Sequence, residues 1–297
     1  MKKVIVLLFA MILMMATASA DTSFLIISPE GAPALAAAGV KDNLETVAAD
    51  GIAGVFAKEE ADFIIAPVNA GAKLYKAGKS SYRLVAVVTW GNLVFASQLP
   101  GFTPEMIDGR AITLFGENTI NASVALYILE QKGIVPSEVN YLASAQETQA
   151  LLLKESEAIV MTAEPAATVA RVKNEAVTTW SLSDLYYEIT GNEGFVQAGL
   201  FVRAKTLEEK PEEVKDWIAQ LQESAERCTN EPEAVAKDAA EMGIMPNETI
   251  ALKAIPACNI RFVTAGEARE QIEATVALDP IQYGGEAPAD DFYYGEE

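Results

Sequence analysis

Lys154-Glu155-Ser156-Glu157-Ala158-Ile159-Val160-Met161-Thr162-Ala163-Glu164-Pro165 has the same construction as an earlier stretch, Lys58-Glu59-Glu60-Ala61-Asp62-Phe63-Ile64-Ile65-Ala66-Pro67. In each, an acidic helix end leads into a short apolar strand that stops at a proline, a residue suited to the first position of a helix. Taken singly the pair carries little, because any two βα units share some of it. The flanking units repeat as well. Strands are expected near Ser23–Ile27, Leu44–Ala48, Phe63–Ala66 and Arg83–Thr89, with Ala-rich helical runs at Ala32–Gly39 and Ala70–Lys76. Gly39 and Gly78 read as helix stops. From Arg110 the order returns as strand Ala111–Phe115, helix Thr119–Lys132, strand Val139–Leu142, helix Glu147–Lys154, strand Ala158–Thr162 and helix Ala166–Lys173. Strands alternating with helices imply mainly parallel sheets. The expected fold class is α/β, with two Rossmann-like lobes of one design.

Two apolar segments read as crossings between the lobes, near residues 90–97 and 195–203. Two crossings side by side make a hinge. Beyond Arg203 the chain reads as helical at Pro211–Arg227, Glu231–Met242, Asn247–Ala254 and Ala265–Ala277. The expected division is therefore a discontinuous first lobe, residues 21–92 and 202–280, around a second lobe of residues 93–201. Residues 281–297, glycine-rich and acidic, read as a loose tail. Phe292, Tyr293 and Tyr294 are the side chains there that offer a way to dock on the body.

The chain opens Met1-Lys2-Lys3, runs apolar from Val4 to about Ala16 and reaches Ala18-Ser19-Ala20 before its first acid, Asp21. This is the pattern of a secretory signal cleaved after Ala20. A spanning helix would need about twenty apolar residues. No cysteine follows Ala20, so a lipid anchor is not expected, and the mature chain should be free in a periplasm. Acids outnumber bases by 42 to 22, for a net charge of −20, which excludes a nucleic-acid partner held by phosphate contacts. The acidity suits the solubility of an exported protein. With 297 residues, 51% of them hydrophobic, two domains with substantial cores are expected.

The chain has no histidine. Catalysis by Ser/His/Asp or Cys/His sets is thereby excluded, and so are zinc sites that depend on imidazole. Its two cysteines, Cys228 and Cys258, cannot supply a thiolate cluster. In an exported protein they either pair as a disulfide or stay as two buried thiols. No phosphate-binding or calcium loop is present, and no carboxylate spacing marks a glycosidase dyad. No catalytic residue, metal or cofactor is expected.

In open α/β sheets ligands bind outside the C-terminal ends of the strands. Those ends carry Ser28-Pro29-Glu30-Gly31, Pro67-Val68-Asn69-Ala70 and Thr89-Trp90-Gly91-Asn92 in the first lobe, and Gly116-Glu117-Asn118-Thr119-Ile120 and Ala163-Glu164-Pro165 in the second. The candidate ligand-binding residues are therefore Ser28, Glu30, Asn69, Trp90, Asn92, Glu117, Asn118, Thr119 and Glu164. Helix starts present free N–H groups that suit an anion. Asn118 and Thr119 serve equally well as helix caps. Glu30 or Glu164 pointing inward would instead favour a cationic or donor-bearing ligand, and Glu164 has the further option of facing the helix dipole. Trp90 either stacks on a flat ligand or packs in the hinge, while Trp180 and Trp217 read as core.

Asp108-Gly109-Arg110-Ala111-Ile112-Thr113-Leu114-Phe115-Gly116, the helix ending Glu130-Gln131-Lys132-Gly133-Ile134, the following Pro136-Ser137-Glu138-Val139 and the later Glu164-Pro165-Ala166-Ala167 form a pattern. It resembles the second lobe of the exported substrate-binding proteins of ABC importers for nitrate, sulfonates, taurine and thiamine-precursor pyrimidines. The resemblance runs from about Phe24 to Ala277 and is most specific in the middle. It implies a type II periplasmic-binding fold and a small-molecule ligand held between lobes by the loops around Asn69, Trp90, Asn118 and Glu164. It also implies hinge closure on the ligand and a monomer without enzymatic activity that works with a permease and ATPase at the inner membrane. Ala163 stands where this family often places an aromatic, which removes a usual wall of the pocket. The missing histidine separates the chain from the pyrimidine-synthesising enzyme of the same fold, whose iron chemistry the resemblance ties to that residue. An exported ligand-sensing module and a histidine-free enzyme using carboxylates are the alternatives that share these lobes.

Overall fold

A computed structural model describes residues 23–295, so the expected signal, residues 1–20, lies outside the described residues. Its strands are β1 (Ile26–Pro29), β2 (Leu44–Val47), β3 (Phe63–Pro67), β4 (Tyr82–Thr89), β5 (Leu93–Ser97), β6 (Ala111–Phe115), β7 (Glu138–Leu142), β8 (Ile159–Ala163), β9 (Thr178–Ser181), β10 (Ala198–Arg203) and β11 (Ile260–Thr264). Its α-helices are α1 (Ile52–Lys58), α2 (Val68–Lys76), α3 (Ile120–Gln131), α4 (Ala145–Lys154), α5 (Ala166–Lys173), α6 (Leu182–Thr190), α7 (Ala204–Glu209), α8 (Pro211–Asn230), α9 (Pro232–Glu241), α10 (Glu248–Ala254) and α11 (Arg269–Leu278).

The strands form two sheets, a six-stranded one in the order β11-β4-β10-β3-β1-β2 and a five-stranded one in the order β7-β6-β8-β5-β9. In the first, β1 runs parallel to β2 and β3, and β10 runs antiparallel between β3 and β4. In the second, β6 runs parallel to β7 and β8, and β5 runs antiparallel between β8 and β9. The two sheets thus share one plan, with β11 added at an edge of the first. The fold is α/β with two lobes, as the repeated βα units predicted.

The crossing segments run directly into strands at the heart of the sheets. Every residue of β5 is buried, and its register runs from Leu93 opposite Ala163 to Ser97 opposite Ile159. β10 returns the chain to the first sheet, with Ala198 opposite Pro67 and Val202 opposite Phe63. Their unbroken apolar runs are what a strand buried on both faces requires.

Several local readings change. Ala32–Asn43 is a 3-10 stretch in two pieces, broken at the non-helical Val40 directly after Gly39, where the sequence placed a stop. Gly39 lies where α8 crosses: its N–H donates to Ser224 Oγ at 2.8 Å, and a Cβ there would come within 2.9 Å of that oxygen. The buried Ala34, Ala36, Ala37 and Ala38 keep the same surface small. Trp217 is core, packed on Phe24 and Phe63. Trp180 is not: it sits on the edge strand β9, 38% exposed, and its indole N–H donates to the Phe102 carbonyl at 2.9 Å. The helix expected from Ala265 begins at Arg269, because β11 and a turn precede it.

The expected loose tail is docked over its described length. Phe292 is fully buried against Tyr75, Phe201 and Tyr293, and Tyr293 bridges to Leu84 on β4. The Tyr294 N–H donates to the Leu84 carbonyl at 2.8 Å. Acid content misled here because the aromatic triplet supplies apolar area that outweighs it. Ahead of the tail, Asp279 accepts from Ser123 Oγ on α3 at 2.7 Å, and Thr275 on α11 accepts from the Val196 N–H at 3.4 Å. The C-terminal segment is thus a third link between the lobes.

Cys228 and Cys258 are free, buried thiols, so the disulfide alternative is not formed. Cys228 turns toward the Leu35 carbonyl, 3.6 Å from its sulfur. Burial pushes the Cys228 thiol up to about 12 and Cys258 well above the usual thiol range, so neither offers a thiolate at neutral pH. The folded protein is expected to be inert to a thiol reagent at pH 8 and to yield two thiols per chain once denatured without reductant; a lower titre would reveal a bridge.

Candidate ligand-binding cleft

The C-terminal ends of β1 and β3 in one sheet and of β6 and β8 in the other face a common cleft of about 440 Å³. From the first sheet it is lined by residues 29–33, by Ala49 and Ile52, and by Pro67, Asn69 and Ala70. From the second it is lined by Phe115, residues 119–121, 143–146 and 163–166. Asn92, Gln197 and Ala198 close it at the crossings. The walls are mostly apolar, and among the described residues the lining holds no lysine or arginine.

Of the residues picked from strand boundaries, Glu30, Asn69, Asn92, Thr119 and Glu164 lie in this lining. Glu30 is exposed at its rim. Asn69 and Asn92 each have a side-chain oxygen that is buried with no partner among the described residues. Thr119 starts α3 without a side-chain cap, since its hydroxyl donates to the Gly116 carbonyl at 2.6 Å.

Glu164 is 2% exposed, and its carboxylate is already engaged. One oxygen accepts from the Thr168 N–H in the first turn of α5 at 2.9 Å, and the other accepts from Arg171 Nη2 at 2.8 Å. Its role is therefore the second one open to it, meeting the positive end of a helix.

Four of the picked residues fall outside the lining. Ser28 is buried and its hydroxyl donates to the Pro29 carbonyl at 3.0 Å. Glu117 and Asn118 are exposed, and Asn118 takes a left-handed conformation with φ 56° that turns the chain into α3. Trp90 packs in the hinge: its ring is 3% exposed, Arg261 lies over it at 4.9 Å, and its indole N–H donates to the Arg261 carbonyl at 3.2 Å.

Gln197 was missed and is central. Its side-chain oxygen accepts from the Asn92 N–H at 3.1 Å, and its amide nitrogen donates to Asn121 Oδ1 at 3.3 Å. Its own N–H donates to the Thr89 carbonyl at 3.1 Å, and its carbonyl accepts from the Val68 N–H at 3.1 Å. One residue therefore joins both crossings and both lobes. The available signal was a lone glutamine in the apolar run from Phe195 to Val202. The Asn92 amide adds a bond to the Glu164 carbonyl at 2.9 Å, and the Glu164 N–H returns one to the Asn92 carbonyl at 2.8 Å.

Comparison with known proteins bears on this geometry. Residues 93–235 match the model of the NMT1/THI5-like family. The match takes in β5 and the cleft residues that the second sheet supplies. No curated protein matches the chain in sequence. Among solved structures, an ABC transporter protein from Parabacteroides distasonis is 21% identical with a TM-score of 0.80, over 93% of this chain and 100% of that one. The ligand-binding component of an ABC-type import system from Staphylococcus aureus is 13% identical with a TM-score of 0.70, over 91% of this chain and 95% of that one. The periplasmic aliphatic sulphonate binding protein SsuA from Escherichia coli is 13% identical with a TM-score of 0.69, over 92% of each chain. The fold is that of the periplasmic binding proteins, and the structural neighbours named as parts of ABC transport systems share it.

The pairing behind the cleft is open to test. Truncating Arg171 leaves the buried Glu164 carboxylate with the Thr168 N–H as its remaining partner, so Arg171→Ala is expected to lower stability by about 2 kcal/mol. Adding Glu164→Gln to that variant should recover part of the loss, as read from urea-unfolding midpoints.

Proposed function

We propose that the chain is the exported solute-binding component of an ABC importer, which captures a small organic molecule or oxyanion between its lobes and delivers it to a membrane permease and ATPase. The observation that carries this reading is the cleft itself: it is built from strand ends of both sheets, at the place where the chain crosses twice between them. A molecule seated there touches Asn69 from one sheet, Thr119 from the other and Asn92 at the crossing. It therefore binds best when the lobes approach each other, and its differential affinity draws them into that state. A permease then has a shape by which to tell loaded protein from empty. The structural neighbours are binding proteins, and the chain has no histidine to complete the nucleophile–base sets that would argue for turnover.

Export fits the same reading. The signal pattern ending Ala18-Ser19-Ala20 precedes the folded body, and among the described residues no helix is long and apolar enough to cross a membrane. The mature protein is read as a monomer in the periplasm, with the carriers waiting in the inner membrane.

Two measurements check this. Small-angle scattering on protein saturated with its copurifying solute should show a smaller radius of gyration than on solute-free protein, and an identical radius would exclude closure. The intact mass of the exported protein should correspond to a chain starting at Asp21; a start elsewhere would displace the cleavage site.

A further inference from the structure

We infer that the cleft favours an uncharged, largely apolar molecule that presents N–H or O–H donors over oxyanions such as nitrate and alkanesulfonates. This rests on the reading of the cleft as the ligand site and narrows what that site accepts.

An anion in such a cleft needs either a cationic side chain or unspent N–H groups at helix starts. Among the described residues the lining holds no lysine or arginine, and the chain has no histidine. Arg171, the cation tied to the cleft's own Glu164, is also held by Thr168 Oγ1 at 2.7 Å and Thr179 Oγ1 at 3.1 Å. Three N–H groups at helix starts are already spent, and α3 is a start left without a side-chain cap. At α5 the Thr168 N–H donates to Glu164, at α4 the Glu147 N–H donates to Ser144 Oγ at 3.2 Å, and at α2 the Val68 N–H donates to the Gln197 carbonyl.

What the cleft leaves unsatisfied is the opposite kind of group. Asn69 Oδ1 and Asn92 Oδ1 are buried and without a partner among the described residues. For Asn92, 6% exposed, the assignment is fixed by its surroundings, because the amide nitrogen is the atom that donates to the Glu164 carbonyl. The orphan is therefore an acceptor. Buried acceptors are costly until a donor arrives, and an oxyanion brings acceptors alone. Glu30 at the rim adds a like charge to any anion that enters. Ile52, Phe115 and Ile120 offer the remaining surface to an apolar body, in a volume that a nitrate-sized ion would leave mostly to water.

A thermal-shift series with matched probes tests this. Benzamide, uracil and indole supply uncharged donors; benzoate, nitrate, sulfate and ethanesulfonate supply anions. In parallel, any molecule released by solvent from freshly purified protein is identified by mass spectrometry in both ion modes. Uncharged donor probes, or an uncharged donor-bearing extract, are expected to raise Tm by roughly 5 °C near saturation, while the anions leave it unchanged. The rise should vanish in Asn69→Leu, whose Tm without probe should be no lower than that of the parent. Stabilisation by anions with none from the uncharged set, or an anionic extract, overturns the selectivity but leaves the cleft as a binding site. A rise that persists in Asn69→Leu overturns the inference by placing the probe elsewhere. No stabilisation by any probe and no extracted molecule would overturn the binding reading itself.

Discussion

The rest of the structure depends on the burial of two strands that each lobe receives from a crossing. β5 lies between β8 and β9, and β10 lies between β3 and β4, each antiparallel to both neighbours. A central strand hydrogen-bonded on both sides cannot slide without opening its sheet. The segments just before these strands, with the C-terminal contacts of Thr275 and Asp279, are the connections between the lobes. Those segments are themselves closely fitted: Ser183 Oγ donates to the Gly91 carbonyl at 2.8 Å, and a Cβ on Gly91, whose φ is 81°, would collide with Ser183 and Phe195. The first crossing is a closely packed joint.

Electrostatics are arranged in two tiers. The acidity that gives the chain its charge of −20 lies largely on the outer surface, where most of its ion pairs are exposed and contribute little to stability. At the cleft the one buried carboxylate is absorbed by a helix start and an arginine, and neutral amides make the connections across the crossings. Exchanging one amide partner for another, or for water, costs far less than stranding a charge.

The sheets were legible in the sequence because continuous apolar runs ending at proline or glycine announce parallel strands whatever surrounds them. The crossings were legible too, though as linkers, since nothing local marks Leu93–Ser97 as a strand that will lie antiparallel inside a sheet. The site was half legible. Strand boundaries pointed to Glu30, Asn69, Asn92, Thr119 and Glu164, which line the cleft, and equally to Ser28, Trp90, Glu117 and Asn118, which do not. Position along the chain says which loop reaches the crevice, but the direction of a side chain is decided by partners distant in sequence. Trp90 is turned away by Arg261, and Glu164 is claimed by Arg171. Gln197 escaped notice for the same reason, since all its partners lie on other elements.

The docked C-terminus bears on how the molecule is made. Phe292 belongs to the core that contains Phe56 and Phe201, and Tyr293 occupies the edge of the first sheet beside Leu84. That sheet begins with Ile26 and also needs β10 and β11 from much later in the chain. The segment from β5 to β9, in contrast, holds every strand of its own sheet. During synthesis the inner segment can therefore organise early, whereas the first lobe stays open until nearly the last residue has emerged. The first sheet is thus completed only by strands that come late in the chain, while the second needs nothing beyond β9.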